Sequence, residues 1–238
     1  MNCNDSLDDK YLLLTSPLIN IDIPDCELII KYGEKKLFQK KEIIVACGEV
    51  LKKLPFLYKG QIKMSNYTAH GFEKTIWYMN APIFVGECLV FHGKPSRNKI
   101  IATETCEIYF LEENVLYSLA ATNPEILKII HKILAQKIRV LTSQIEDLCV
   151  NEPTFRVAKL LYMLAKQNGE RIGNDKYVVY FRLTHQGIAD IAGLHRVTVT
   201  NILNKFCSKG IIKKDKEKIV ILEIEELLDF FSNPTLTG

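Results

Sequence analysis

The hydrophobic pattern of this chain changes period once, near residue 123, and that change limits what the chain can fold into. From about Leu28 to Phe110 the apolar residues come in short runs. These include Glu42-Ile43-Ile44-Val45, Phe56-Leu57-Tyr58, Gln61-Ile62-Lys63-Met64, Thr75-Ile76-Trp77-Tyr78, Ile83-Phe84-Val85 and Glu107-Ile108-Tyr109-Phe110. Gly48, Gly60, Gly71, Gly86 and Gly93 punctuate them at spacings of 7 to 15 residues. Many short strands with glycine turns predict a sandwich or barrel-like roll. Beyond residue 123, Leu127, Ile130, Leu134, Ile138, Leu141, Ile145 and Leu148 recur every 3 or 4 residues. That is a heptad-type stripe, which predicts one long amphipathic helix.

Asn123-Pro124 supplies a cap and first-turn pair for this helix. Its stripe can pack on the chain's own sheet or meet its copy in a second subunit. Ile126, Ile129 and Ile133 form a second apolar row beside the first. Two rows suit a helix that buries against both, so residues 123–148 are expected to form a homodimer seam. Asn151-Glu152-Pro153 ends the helix, and a second one of pattern Phe155-x-x-Ala158-x-x-Leu161 follows. A strand is expected over Tyr177-Val178-Val179-Tyr180-Phe181. The expected class is α+β: a sensing roll over 1–120, a long dimerisation helix over 121–150 and a C-terminal domain over 151–238.

With 238 residues, 47% hydrophobic and 25% charged, the chain is not disordered, collagenous or fibrous. No apolar run approaches the roughly 18 residues of a membrane-spanning helix. The start lacks a basic region followed by an apolar one, so no export signal is expected, and a cytoplasmic location with reduced thiols is. The net charge of +3 is unevenly spread. Residues 1–151 carry 18 basic and 18 acidic side chains, whereas residues 182–218 hold eight basic residues against three acidic ones. The eight are Arg182, Arg196, Lys205, Lys209, Lys213, Lys214, Lys216 and Lys218; the three are Asp190, Asp215 and Glu217.

That basic stretch contains a motif. Ala189 is small where two crossing helices would touch, and Gly193, four residues on, can take the left-handed conformation of a tight turn. Ile188, Ile191, Leu194, Val199, Ile202 and Leu203 supply inner faces, which is helix-turn-helix spacing. Gly210-Ile211-Ile212, a turn Lys213-Lys214-Asp215-Lys216-Glu217-Lys218, and Ile219-Val220-Ile221-Leu222 then read as a hairpin with a cationic tip, the wing of a winged helix. The combination implies a domain that binds double-stranded DNA. His195, Arg196, Val197, Thr200 and Asn201 would face outward at the start of the second helix. Arg196 suits a bidentate contact to guanine, Asn201 one to adenine, and Val197 packing on a thymine methyl. Thr198 and Lys205 complete the candidate contacts, and the wing lysines would neutralise phosphates.

Residues 28–230 together resemble the Crp/Fnr family of bacterial transcription regulators. The marks are Lys41-Glu42-Ile43-Ile44-Val45-Ala46-Cys47-Gly48-Glu49, Phe56-Leu57-Tyr58-Lys59-Gly60-Gln61-Ile62-Lys63, Val85-Gly86-Glu87, and Gly193-x-x-Arg196-x-Thr198-Val199-x-x-Ile202-Leu203. The resemblance implies a cyclic-nucleotide-binding-type (cupin-like) β-roll, a long dimerisation helix and a C-terminal winged helix. It also implies a small-molecule effector, a palindromic target and RNA polymerase as a partner.

The effector stays open at this level. In the family's cyclic-AMP receptors a Gly-Glu pair holds the ribose, and an Arg-Ser-Ala run ten residues later neutralises the phosphate. Here Gly86, Glu87 and Arg97 match, but Asn98 and Lys99 replace Ser and Ala, and Thr142-Ser143 sits about one residue out of register. An iron–sulfur cluster of the Fnr type needs clustered thiolates, and Cys3, Cys26 and Cys47 lie more than 20 residues apart. For haem, Cys88 and His92 are close, but read more simply as a core cysteine beside a surface histidine. The segment Phe72–Tyr78 and Lys137 look like the halorespiration regulators, which recognise chlorinated aromatics. By position Trp77, with Tyr78 beside it, matches the aromatic and Lys137 a lysine, while Glu87 stands where that branch has another lysine. Lys137 can be a half-buried anion sensor or a lysine snorkelling off a coiled-coil edge. No cofactor is expected, and the absence of nucleophile-elbow, P-loop or dinucleotide motifs argues against an enzyme. Cys3 or Cys207 could act in a redox switch.

Overall fold

The computed structural model describes residues 12–23, 26–69, 71–150, 152–172, 176–179, 184–215 and 218–232. Arg182, Lys216, Glu217, Cys3, Asn151, Tyr180 and Phe181 lie outside the described residues. The chain divides into two compact units: residues 17–139, and residues 140–238 together with the described residues up to Ser16. The class is α+β.

The first unit contains two sheets. One runs β1 (Leu18–Ile19), β6 (Glu73–Asn80), β5 (Gln61–Tyr67), β8 (Lys99–Ala102), β3 (Ile43–Val45), with β1 parallel to β6 and the other pairs antiparallel. The other runs β2 (Glu34–Phe38), β9 (Cys106–Glu112), β4 (Lys53–Lys59), β7 (Ile83–Phe84), all antiparallel. Leu54, Phe56, Leu57, Ile62, Met79, Ile83, Phe84, Ile100 and Leu111 are fully buried. Burying each such side chain is worth about 1.5–3 kcal/mol. Phe56 and Phe84, paired across β4 and β7, meet edge to face at 4.9 Å.

The expected β pattern from Leu28 needs correction at its start. Glu27–Tyr32 is a helix, α1, with Glu27 in its first turn and the Gly33 N–H closing on Ile29 O. Only Ile29 of its apolar run is buried, a single anchor rather than the alternate burial of a strand. A short helix α2 (Glu87–His92) connects β7 to β8, and α3 (Glu113–Thr122) follows β9.

The long helix is α4, Glu125–Val150. Asn123 accepts a hydrogen bond from the Glu125 N–H at 3.3 Å, the expected cap. The heptad row changes exposure along its length: Ile130 is buried and Leu127 and Leu134 are half-buried, like the second row beside them. Ile126, Ile129 and Ile133 are buried, whereas Ile138, Leu141, Ile145 and Leu148 are 64, 39, 63 and 50% exposed. Several turns of heptad stripe thus lie on the surface of a single chain.

In the second unit, α5 (Pro153–Asn168) begins with proline in its first turn. Lys159 Nζ donates to Ser143 Oγ at 2.9 Å and Asp147 Oδ1 at 2.7 Å, tying α5 to the end of α4. Helices α6 (His185–Ala192) and α7 (Arg196–Ser208) follow, then α8 (Ile224–Ser232). A four-stranded sheet has the order β10 (Glu170–Arg171), β11 (Tyr177–Val179), β13 (Ile219–Ile221), β12 (Ile212–Lys214).

Candidate nucleic-acid interface and effector site

Helices α6 and α7 form the expected helix-turn-helix. Thr184 caps α6 by accepting from the Gly187 N–H at 3.1 Å. Gly193 takes φ +64°, a left-handed conformation that ends α6 and frees Leu194 N–H to bond Ala189 O at 3.0 Å. Ile188, Ala189, Val199, Leu203 and Phe206 are fully buried between the helices and their neighbours. From α5, Arg156 donates to Ala192 O at 3.0 Å, satisfying a carbonyl at the end of α6.

Burying one face of α7 fixes which residues it presents. His195, Arg196, Val197, Asn201 and Lys205 are exposed, Val197 to 70%, and Thr198 and Thr200 are half-buried. Of the wing, Ile212–Lys214 and Ile219–Ile221 pair antiparallel, and Asp215 N–H bonds Lys218 O at 2.9 Å. Lys214 Nζ donates to Asn204 Oδ1 on α7 at 2.6 Å, so the wing and α7 form one cationic surface. Sequence reasoning passed over His185, whose Nδ1 lies 2.9 Å from Thr200 Oγ1. Its only sequence signal was its place directly after the capping threonine. Burial foremost, then Lys214 and Arg196, hold this imidazole below the usual histidine range.

The candidate effector residues do not all come together. Trp77 on β6, Glu87 at the start of α2 and Lys137 on α4 do. Lys137 Nζ donates to Glu87 Oε1 at 2.5 Å and sits 5.3 Å from the Trp77 ring centroid. Glu87 is completely buried and Lys137 is 4% exposed, so Lys137 neither snorkels nor stands half-buried. Gly86 makes this geometry possible: it takes φ +73°, and a Cβ there would lie 2.9 Å from Leu51 Cδ1. Glu87 Oε2 and Trp77 Nε1 are buried without a hydrogen-bond partner among the described residues. Tyr78, the next residue along β6, projects to the opposite face from Trp77. Lys99 Nζ lies 4.7 Å over the Tyr67 ring, and Arg97 is exposed. Beside Trp77, the buried Ser65 and Thr75 hydroxyls and Lys63 all bond Glu73 Oε1. Burial opposes the charge on Glu73, but the bonds from Lys63 and Ser65 outweigh it and hold its carboxyl below the usual range.

Cys88 is exposed rather than a core residue, because it faces outward from the single turn that buries Glu87 and Val90. Among the described residues no cluster of histidine, cysteine or carboxylate could hold a metal ion. Cys207 is half-buried on α7. No helix among the described residues is long and apolar enough to cross a membrane.

A roll of two sheets and a winged helix-turn-helix joined through a long helix define a DNA-binding regulator with a ligand-binding-type domain. Family comparison agrees on both parts: residues 35–123 match the cyclic nucleotide-binding domain and residues 155–230 the Crp-like helix-turn-helix domain. The chain belongs to the Crp/Fnr family of transcription regulators. It is 26% identical over 190 residues, 80% of this chain and 84% of the relative, to a CRP-like cAMP-activated global transcriptional regulator of Mycobacterium tuberculosis. To the cAMP-activated global transcriptional regulator CRP of Haemophilus influenzae it is 27% identical over 185 residues, 77% of this chain and 82% of the relative. Among solved structures, a variant of CprK complexed with OCPA aligns with TM-score 0.76 at 25% identity, covering 91% of this chain and 97% of that one. A CooA variant from Carboxydothermus hydrogenoformans aligns with the same TM-score at 19% identity, covering 85 and 89%, which speaks for the fold alone.

Proposed function

We propose that the chain acts as a homodimer, paired through residues 123–148, on a palindromic promoter site, and that a small-molecule effector gates it. Residues 1–120 sense, 121–150 dimerise and 151–238 bind DNA. The observation that carries the reading is the polarity of α7. One face is buried, while Arg196, Val197 and Asn201 stand exposed beside a cationic wing. Arg196 pairs with guanine, Asn201 with adenine, and Val197 packs on a thymine methyl. His195, Thr198, Thr200 and Lys205 position the helix, and two copies of α7 engage half-sites about one helical turn apart. RNA polymerase is the partner that would turn such binding into transcription, in the cytoplasm.

For the effector, the Trp77–Glu87–Lys137 cluster supports an aromatic anion, halogenated in keeping with the CprK complex with OCPA. Its ring would stack near Trp77, and its negative group would compete with Glu87 for Lys137. The Gly86-Glu87 pair supports a second reading, a cyclic nucleotide, in keeping with the cAMP-activated relatives. Against it, Arg97 is exposed, and Asn98 and Lys99 occupy the phosphate-binding run. The test is duplex-DNA affinity and melting temperature of the purified protein with o-chlorophenolacetic acid or cyclic AMP. The aromatic is expected to raise both, by about 3 kcal/mol of stability at 100 times its Kd. A response to cyclic AMP alone would favour the second reading, and a response to neither a ligand-independent regulator.

A further inference from the structure

We propose that His185 is a proton-dependent phosphate contact of the DNA interface, so that this protein binds duplex DNA more tightly as pH falls. The inference rests on reading α7 and the wing as the DNA-facing surface.

His185 is the first residue of α6, half-buried, and the recognition helix orients its ring. Thr200 has one hydroxyl hydrogen, and it is donated to Arg196 O at 2.9 Å. Towards the imidazole, 2.9 Å away, Thr200 Oγ1 is therefore the acceptor. In the neutral ring Nδ1 must carry the hydrogen, which leaves the basic lone pair on Nε2. Two hydrogen bonds thus fix the tautomer and name the atom that takes the proton.

The charges facing the ring come from other elements: Arg196 of α7 and Lys214 of β12. On its own helix, Asp190 is buried and accepts a hydrogen bond from Gln186 at 2.7 Å. Burial and the two cations keep His185 neutral near pH 7 in the free protein. Phosphates arriving at the same cations reverse the local potential. Nε2 then binds a proton and can donate a charge-assisted hydrogen bond to a phosphate oxygen. The complex holds more protons than the free protein, so affinity rises as pH falls from the raised bound value towards the lowered free value. Outside that window it is flat.

The test is fluorescence anisotropy with a mixed-sequence duplex of about 30 base pairs, from about pH 8 to 6 at constant ionic strength. Wild type is expected to gain on the order of 3- to 10-fold in affinity for each chain engaged, up to one proton taken up per chain. His185→Gln keeps a donor for Thr200 but cannot titrate, and is expected to lose this gain. His185→Arg is expected to bind tightly at every pH. His195→Gln, at the other histidine of this surface, is expected to keep the gain. A flat wild-type profile, or a gain that survives in His185→Gln or disappears only in His195→Gln, overturns the proposal and leaves the DNA-binding reading intact. No binding at any pH overturns both.

Discussion

Lys137→Met is expected to destabilise the unit of residues 17–139 by about 3–5 kcal/mol, the penalty for removing one partner of a buried ion pair. In a chain of this length that lowers the melting temperature by roughly 6 to 20 °C. The size follows from the surroundings of Glu87. Its side chain is entirely buried, its Oε1 is held by Lys137 at 2.5 Å, and its Oε2 has no partner among the described residues. Methionine fills the lysine's volume without its charge and leaves a buried carboxylate uncompensated. Glu87→Gln combined with Lys137→Met removes both charges and is expected to recover more than half of the loss. Calorimetry of the wild type, Lys137→Met and the double variant checks this. A single-variant loss below about 1 kcal/mol, in the range of an exposed pair, would show that the pair does not hold the unit together.

Ile138→Glu combined with Ile145→Glu is expected to convert the protein from two chains to one in light scattering, with its helical circular dichroism intact. Both residues are more than 60% exposed in the single chain, so carboxylates there cost little to the folded monomer. In a paired seam the same substitutions place four carboxylates where apolar side chains would be buried. Each buried isoleucine or leucine contributes about 1.5–3 kcal/mol there. Such a seam only modestly exceeds the translational and rotational cost of association, so the substitutions should abolish it. Separating the chains removes the advantage of binding two half-sites at once, and duplex affinity is expected to fall on the order of 100-fold or more. A dimer that persists with affinity within a few-fold of wild type would contradict the proposed seam.

The parts of the fold written in local periodicity were legible in the sequence. The heptad stripe became α4, and Ala189, Gly193 and the inner apolar residues became a helix-turn-helix. β2 was not legible. It is an edge strand whose residues are mostly exposed, so Glu34–Phe38 carries no alternate burial to read. α1 imitated a strand because Leu28-Ile29-Ile30 is rich in branched residues, though the helix buries only Ile29. Composition cannot reveal a pairing across fifty residues, and Glu87–Lys137 is one. Each residue read alone invited a ligand role, Glu87 for a ribose and Lys137 for an anion, while their contact satisfies each with the other. His185 escaped notice for the same reason. Its meaning comes from Thr200, Arg196 and Lys214, which lie on two other elements.

In the proposed interface α7 reads sequence while the wing supplies charge. The most direct measurement is the ratio of affinities for a duplex selected by the wild-type protein from random sequence and for its scrambled counterpart. Arg196→Ala is expected to reduce that ratio by about 1–3 kcal/mol for each half-site, abolishing a specific gel shift. Lys214→Ala should weaken both duplexes alike, with the salt slope falling by about one for each half-site. A selective ratio unchanged by Arg196→Ala would contradict the assignment of α7 as the helix that reads DNA.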